Sequence, residues 1–206
     1  MCDTRTLVLA TLNPGKVREL RGLLGDVRFE IRALADYPGA TLPEETETTY
    51  RGNALLKARA VASLTGAWAL GDDSGLEVDA LGGAPGIRSA RYGSPGLDDA
   101  GRCATLLAAL REVPADRRTS RFRCVIAIVD DVGRESVVQG VAEGTITRAP
   151  RGTGGFGYDP VFFYPPLART FGELTDDEKK GVSHRARAAA LARRVLTGCY
   201  TPDLDV

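Results

Sequence analysis

Ala67-Trp68-Ala69-Leu70-Gly71-Asp72-Asp73-Ser74-Gly75-Leu76-Glu77-Val78 is the stretch on which the fold turns. Apolar residues run up to the two acids, and Leu76-Glu77-Val78 alternates away from them. That pattern predicts a strand that ends in a tight carboxylate-bearing turn and then re-enters a sheet. Adjacent carboxylates repel unless a cation or a hydrogen-bond shell offsets them. Oxygens in a glycine-opened turn suit a hard cation such as Mg²⁺, which keeps several waters and binds substrate phosphates as well. A solvated Asp-Asp-Ser-Gly turn is the plain alternative.

Upstream, Leu7-Val8-Leu9-Ala10 is a short apolar run that suits a buried first strand. Thr11-Leu12-Asn13-Pro14-Gly15-Lys16 follows, and then Val17, Leu20 and Leu24 recur at helical spacing. A strand, a polar glycine-containing turn and a helix together offer backbone N–H groups and a positive helix end to a phosphate. Thr11 and Asn13 add side-chain donors and Lys16 adds a full charge, although the Gly-x-x-x-x-Gly-Lys-Ser/Thr loop is absent. Phe29 to Leu34 alternates as a second strand. Leu42-Pro43-Glu44-Glu45-Thr46 is an acidic loop leading into a helix whose buried face is Ala54, Leu55, Ala58, Val61 and Ala62. Glu44 and Glu45 serve the helix dipole unless folding carries one of them to Asp73.

Downstream, Leu81-Gly82-Gly83-Ala84-Pro85-Gly86-Ile87 predicts a surface segment of fixed shape. Cys103, Leu106, Leu107 and Leu110 mark a helix begun by Asp98 or Asp99, and Phe122–Val129 and Ser136–Ile146 supply strands. Gly152-Thr153-Gly154-Gly155-Phe156-Gly157-Tyr158-Asp159-Pro160 lets the backbone approach a ligand, with Phe156 free to stack on a flat ring and Asp159 to accept a hydrogen bond. A glycine-rich hairpin with core aromatics is the alternative. Val161 to Tyr164 returns to strand. Thr175-Asp176-Asp177-Glu178 fits a capping box opening a short helix that Gly181 ends. Ser183 then caps a last helix with His184 and Arg185 on its first turn. Cations there oppose the helix dipole, and Lys179 and Lys180 add to them, so the placement suits a negative or carbonyl-rich ligand.

The bulk numbers exclude several classes. Lysine plus arginine equals aspartate plus glutamate at 27 each, so no global charge points to a nucleic-acid polymer or an acidic membrane. Cys2, Cys103, Cys124 and Cys199 are scattered, and there is one histidine, so neither a zinc site nor a disulfide framework is expected. No apolar run approaches membrane-spanning length and no signal-peptide pattern is present, which predicts a cytoplasmic protein. With 206 residues, no internal repeat and no long linker, one domain over 1–206 is expected.

Taken in order, Ala10 to Lys16, Gly71 to Leu76, Leu81 to Ile87, Gly154 to Pro160 and Ser183-His184-Arg185 resemble the inosine triphosphate pyrophosphatase (Ham1-like) family. Any one block is weak evidence; five in sequence over nearly the whole chain are specific. The resemblance implies an α/β fold, a long mixed twisted sheet flanked by helices, with two lobes around a central cleft. It implies hydrolysis of ITP, dITP and XTP to monophosphate and pyrophosphate, Mg²⁺ as cofactor and a homodimer. Residue by residue, Thr11, Asn13 and Lys16 match the triphosphate-binding turn. Asp73 matches the acid that binds metal or activates water, Ser74 a substrate contact, and Glu44 or Glu45 a second metal ligand. Glu47 stands where the bacterial pattern has glycine. Phe156, Gly157, Tyr158 and Asp159 match the base-binding loop, and Lys179, His184 and Arg185 the base-reading set. Two readings compete: a nucleotide sensor without turnover, and a pyrophosphatase of modified pyrimidine nucleotides.

Overall fold

The computed structural model describes residues 4–199. They form β1 (Arg5–Leu9), α1 (Pro14–Leu24), β2 (Phe29–Ala33), α2 (Tyr50–Thr65), β3 (Trp68–Val78), α3 (Asp99–Ala109), β4 (Thr119–Val129), β5 (Glu135–Ile146), β6 (Phe162–Tyr164), β7 (Arg169–Thr170), α4 (Asp176–Val182) and α5 (His184–Leu196). The strands make one seven-stranded sheet in the order β2-β1-β3-β4-β5-β6-β7. β1 is parallel to β2 and β3, whereas β6 is antiparallel to β5 and β7, so the sheet is mixed as expected. The described residues divide into two compact units: 4–73, 124–140 and 185–199 form unit 1, and 74–123 with 141–184 form unit 2.

In unit 1 the period-two geometry of strands sorts the core into two layers. Leu7 and Leu9 of β1, Leu70 of β3, and Cys124, Ile126 and Ile128 of β4 pack with Leu20 and Leu24 of α1 and Ala188, Ala189 and Ala192 of α5. The alternate β4 residues Val125, Ala127 and Val129 pack with Ala54, Leu55 and Ala58 of α2. Val8, Ala10 and Ala69 pack with Val61 of α2. Leu70 thus belongs to the α1/α5 face and Ala69 to the α2 face. This parity decides what surrounds the acids that follow.

Unit 2 has a single core. Leu76, Val78, Phe122, Ala142 and Ile146 from the sheet pack with Cys103, Leu106 and Leu110 of α3, and with Tyr158, Phe162 and Phe171. Asp98 caps α3 by accepting from Gly101 N–H at 2.8 Å, as the sequence predicts. Thr175 and Glu178 form the expected capping box of α4.

Two expectations need correction, and one alternative falls away. The acids do not sit in a turn: β3 runs without interruption through Asp72 and Asp73 to Val78. Gly71 serves close approach instead, because a Cβ there would collide with the Ala54 carbonyl oxygen of α2. The 152–160 segment is not a hairpin but a series of bends ending in a 3₁₀ turn at Asp159–Val161. α4 passes through Gly181 to end at Val182. The two-residue β7 carries too short a pattern to be read from sequence. Cys103 and Cys124 are buried free thiols as expected, and Cys199 is exposed; Cys2 lies outside the described residues. Among the described residues no helix is long and apolar enough to cross a membrane.

Gly71→Ala should cost about 1–3 kcal/mol, because a methyl must push α2 off β3. Chemical denaturation of the variant measures this directly, and a stability equal to wild type would mean that the helix has room to give.

Candidate active site

Because side chains alternate along β3, Asp72 and Asp73 face opposite sides of the sheet and meet different partners. Asp72 shares the parity of Leu70 and enters the α1/α5 layer. Its Oδ1 lies 2.5 Å from Lys16 Nζ of α1, and its Oδ2 accepts from Arg185 Nε of α5 at 2.8 Å. The Cys124 thiol donates to the same Oδ2 at 3.1 Å, and Lys16 Nζ also reaches the Asp72 carbonyl oxygen at 3.3 Å. Burial alone would raise the Asp72 carboxyl, but Arg185 and Lys16 outweigh it and hold it well below the usual carboxylate range. The Cys124 thiol is pushed up by burial and by Asp72, so it stays protonated and remains a donor.

Asp73 shares the parity of Ala69 and Gly71 and meets α2. Asn53 Nδ2 donates to its Oδ2 at 3.3 Å, and Lys57 Nζ approaches its Oδ1 at 3.4 Å. The same ammonium lies 2.7 Å from Glu45 Oε1. Asn53 also grips the acidic loop by its backbone: Oδ1 accepts from Glu47 N–H at 3.1 Å and Nδ2 donates to Glu47 C=O at 3.3 Å. The Asp73 carboxyl is raised by burial, and the opposing pull of Lys57 and Lys16 is offset in part by Glu45 and Asp72. For Lys57, burial favours the neutral amine, yet Asp73 and Glu45 prevail and raise it. A buried cation therefore bridges two carboxylates on the side of β3 away from Asp72.

The turn before α1 is held by its own residues. Asn13 Oδ1 accepts from Gly15 and Lys16 N–H at 2.8 and 3.1 Å, and Thr11 Oγ1 accepts from Asn13 N–H at 3.2 Å. Asn13 is thus the N-cap of α1, a role that leaves its amide N–H groups as the donors for a ligand. Of the two loop acids, Glu45 is the one brought to Asp73 through Lys57, while Glu44 is exposed. Arg185, expected beside His184 at a base, has Nε on Asp72 and Nη1 on Glu19 of α1 at 2.5 Å, both within unit 1. Parity explains this: Asp72 points into the layer that the first turn of α5 covers.

Unit 2 assembles most of the other expected residues. Asp159, buried, accepts from Phe156 N–H at 2.8 Å and pairs with the buried Lys179 ammonium. That ammonium stands 5.1 Å from the Phe156 ring centre and 5.8 Å from that of Phe171. Lys180 is exposed and pairs with Asp177 at 2.9 Å, so Lys179 is the lysine of this cluster. His184 stacks on Phe122, with ring centres 4.6 Å apart and planes at 12°. Tyr158 is buried and its hydroxyl donates to Ser89 C=O at 2.8 Å, which makes it an anchor for the loop. Ser74 is half-buried on β3.

Sequence reading missed Asn53 and Lys57. The signal was present, because both fall at i and i+4 on the same helical stripe as Ala54, Ala58 and Val61. Polar residues on a buried face need partners, and these two find Asp73.

Comparison with known proteins agrees with these motifs. A family model described as "Ham1 family" matches residues 7–195. The chain is 48% identical over 194 residues to a dITP/XTP pyrophosphatase of Desulforamulus reducens, covering 94% of this chain and 96% of that protein. It is 50% identical to a dITP/XTP pyrophosphatase of Shigella flexneri over 187 residues, 90% and 94% of the two chains. Among solved structures, a HAM1 protein from Coxiella burnetii aligns with a TM-score of 0.85 at 40% identity, covering 94% of this chain and 99% of that one.

Asp72→Asn should destabilise the fold by about 3–5 kcal/mol at neutral pH, since it leaves the buried Arg185 and the half-buried Lys16 short of their counter-charge. The sign with pH follows from the depressed carboxyl. Its stabilisation is present above the ordinary carboxylate range and is lost as pH falls through the lower folded value. Denaturation curves from neutral to acidic pH should show wild type and variant converging in acid; a gap that stays constant would remove Asp72 from this role.

Proposed function

The chain belongs to the Ham1 family, and from that premise we propose that it is a nucleoside triphosphate pyrophosphatase acting on non-canonical purine nucleotides. Its substrates in this reading are dITP, XTP and ITP, each cleaved to the monophosphate and pyrophosphate. The observation that carries the chemistry is Asp73: a buried carboxylate, raised by burial, set beside Lys57 and under the influence of Glu45 and Lys16. A carboxylate with raised affinity for protons suits a general base. Water attacks the α-phosphorus, its proton passes to Asp73, a new P–O bond forms and the bridging bond to the β-phosphate breaks.

In this reading the triphosphate is assigned to the residues about Lys16. Lys16 is fixed by Asp72 and supplies positive charge, Thr11 and Asn13 shape the turn, and α1 adds its N-terminal N–H groups. Arg185 braces Asp72 and so holds Lys16 in place. The donor set beside Asp73 suits a divalent cation, because Asp73 and Glu45 are hard oxygen ligands already sharing one positive charge. Among the described residues no group of three or more potential ligands stands together, so in this reading Asp73 and Glu45 are the side-chain ligands and substrate phosphates would supply others. A divalent cation such as Mg²⁺, held by Asp73 and Glu45, would supply charge neutralisation for the phosphate oxygens. Lys57 sets the spacing of the two acids.

The purine is assigned to the residues about Phe156. Phe156 offers a ring face, Lys179 and His184 donate toward a 6-keto oxygen, and Asp159 orients Lys179 and the Phe156 N–H. An adenine 6-amino group meets those donors unpaired, at about 1–3 kcal/mol each. Gly157, Tyr158 and Ser74 shape the surroundings. We further assign the protein to the cytoplasm as a homodimer of single-domain chains, on the family resemblance.

Pyrophosphate release should be fast with dITP, XTP and ITP, slow with ATP, and dependent on added Mg²⁺. Asp73→Asn should lose about 10²–10⁴-fold in kcat with the fold intact by circular dichroism. Turnover retained by that variant would take Asp73 out of the mechanism. A preference for modified pyrimidine triphosphates would overturn the substrate class.

A further inference from the structure

Gly157 lies in the loop that carries Phe156 and Asp159, at a φ of 63°. A left-handed φ of this kind suits glycine and fixes the direction of the chain on either side. Both backbone polar groups of Gly157 are held by α3, a helix outside every motif that identifies the family. Its N–H donates to Asp99 Oδ2 at 2.7 Å, and its C=O accepts from the Cys103 thiol at 3.4 Å. The other Asp99 oxygen pairs with Arg102 one turn along, whose guanidinium also reaches the Leu97 carbonyl oxygen. Burial, with Asp99 and Asp159 adding to it, pushes the Cys103 thiol up to about 11, so at neutral pH it is an S–H donor. On either side the loop is pinned by Asp159 at Phe156 N–H and by Ser89 at the Tyr158 hydroxyl.

We propose that Asp99 is a positioning residue for the base-binding loop: its carboxylate, braced by Arg102, holds Gly157 N–H so that Phe156 presents its ring to the purine. Cys103 completes the hold from the carbonyl side. This role rests on the proposed base-binding function of Phe156 to Asp159. It is distinct from the ordinary service of an acid to a helix N-terminus, which would support α3 without affecting the loop.

The discriminating experiment compares Asp99→Ala, Asp99→Asn, Arg102→Ala and Phe156→Ala by dITP kinetics and by the NMR resonance of the Gly157 amide. Asp99→Ala should raise KM for dITP about tenfold, the order expected for losing a charge-assisted hydrogen bond. Its kcat should stay within about twofold, because the purine is bound alike in ground and transition states. Asp99→Asn keeps an oxygen acceptor and should fall close to wild type. The Gly157 amide proton should shift and exchange faster in Asp99→Ala, and to a smaller extent in Arg102→Ala, which loosens the brace but keeps the acceptor. An unmoved Gly157 amide in Asp99→Ala would overturn the proposal. So would an unchanged KM in Asp99→Ala while Phe156→Ala raises it, which removes the role of Asp99 and leaves the loop's function standing. If Phe156→Ala also leaves KM unchanged, the base-binding reading of the loop falls and takes the role of Asp99 with it.

Discussion

Two neighbouring carboxylates on one strand point to opposite faces of the sheet and make their close ion pairs with different cations, and the organisation of unit 1 follows from that constraint. β3 sends Asp72 into the layer between sheet and α1/α5, and Asp73 toward α2. Each then needs a cation on its own face. Asp72 has two, Lys16 and Arg185, and its carboxyl is depressed; Asp73 has the Lys57 ammonium and must share it with Glu45, and its carboxyl is raised. Lys16 and Arg185 thus balance Asp72 and Glu19, whereas Lys57 is the close cation shared by Asp73 and Glu45. Asp72 is a structural anchor that fixes a cation near the α1 turn, and Asp73, the general base of the proposed mechanism, has room for more positive charge.

Unit 2 solves a different problem, the shaping of a loop rich in glycine. Its backbone freedom has to be removed before the loop can recognise anything. Side chains do this at successive points: Asp159 at Phe156 N–H, Asp99 at Gly157 N–H, Cys103 at Gly157 C=O and Ser89 at the Tyr158 hydroxyl. The buried Lys179 is compensated by Asp159 and by two aromatic faces, which satisfies a charge that the interior would otherwise reject. Such a loop is held in shape before a ligand arrives.

Much of this was legible in the residues. The short apolar runs gave the strands, the caps at Asp98 and Thr175 gave helix starts, and the motif blocks gave the family. What stayed hidden was set by tertiary geometry. Gly71 looked like a turn residue because glycine beside paired acids usually is one, whereas its role is to admit the α2 backbone. Asn53 and Lys57 were passed over since the helix stripe was judged by its apolar members alone. Arg185 was matched to the base-reading set through the family motif, and no local pattern showed that its guanidinium holds Asp72 and Glu19. Asp99 and Cys103 lie more than fifty residues from Gly157 in sequence, and no local pattern joins them.

The central claim is that the adjacent acids carry opposite energetic roles, and the unfolding free energy of Asp73→Asn at neutral pH tests it most directly. Because burial raises the Asp73 carboxyl, the folded state favours its neutral form. Stability from that preference is present below the unfolded carboxylate value and lost as pH rises through the folded one. A neutral side chain of the same shape should therefore leave the protein as stable as wild type, or more so. A loss on the order of 3 kcal/mol, the scale of breaking a buried ion pair, would show that Asp73 is an anchor like its neighbour and would contradict the account.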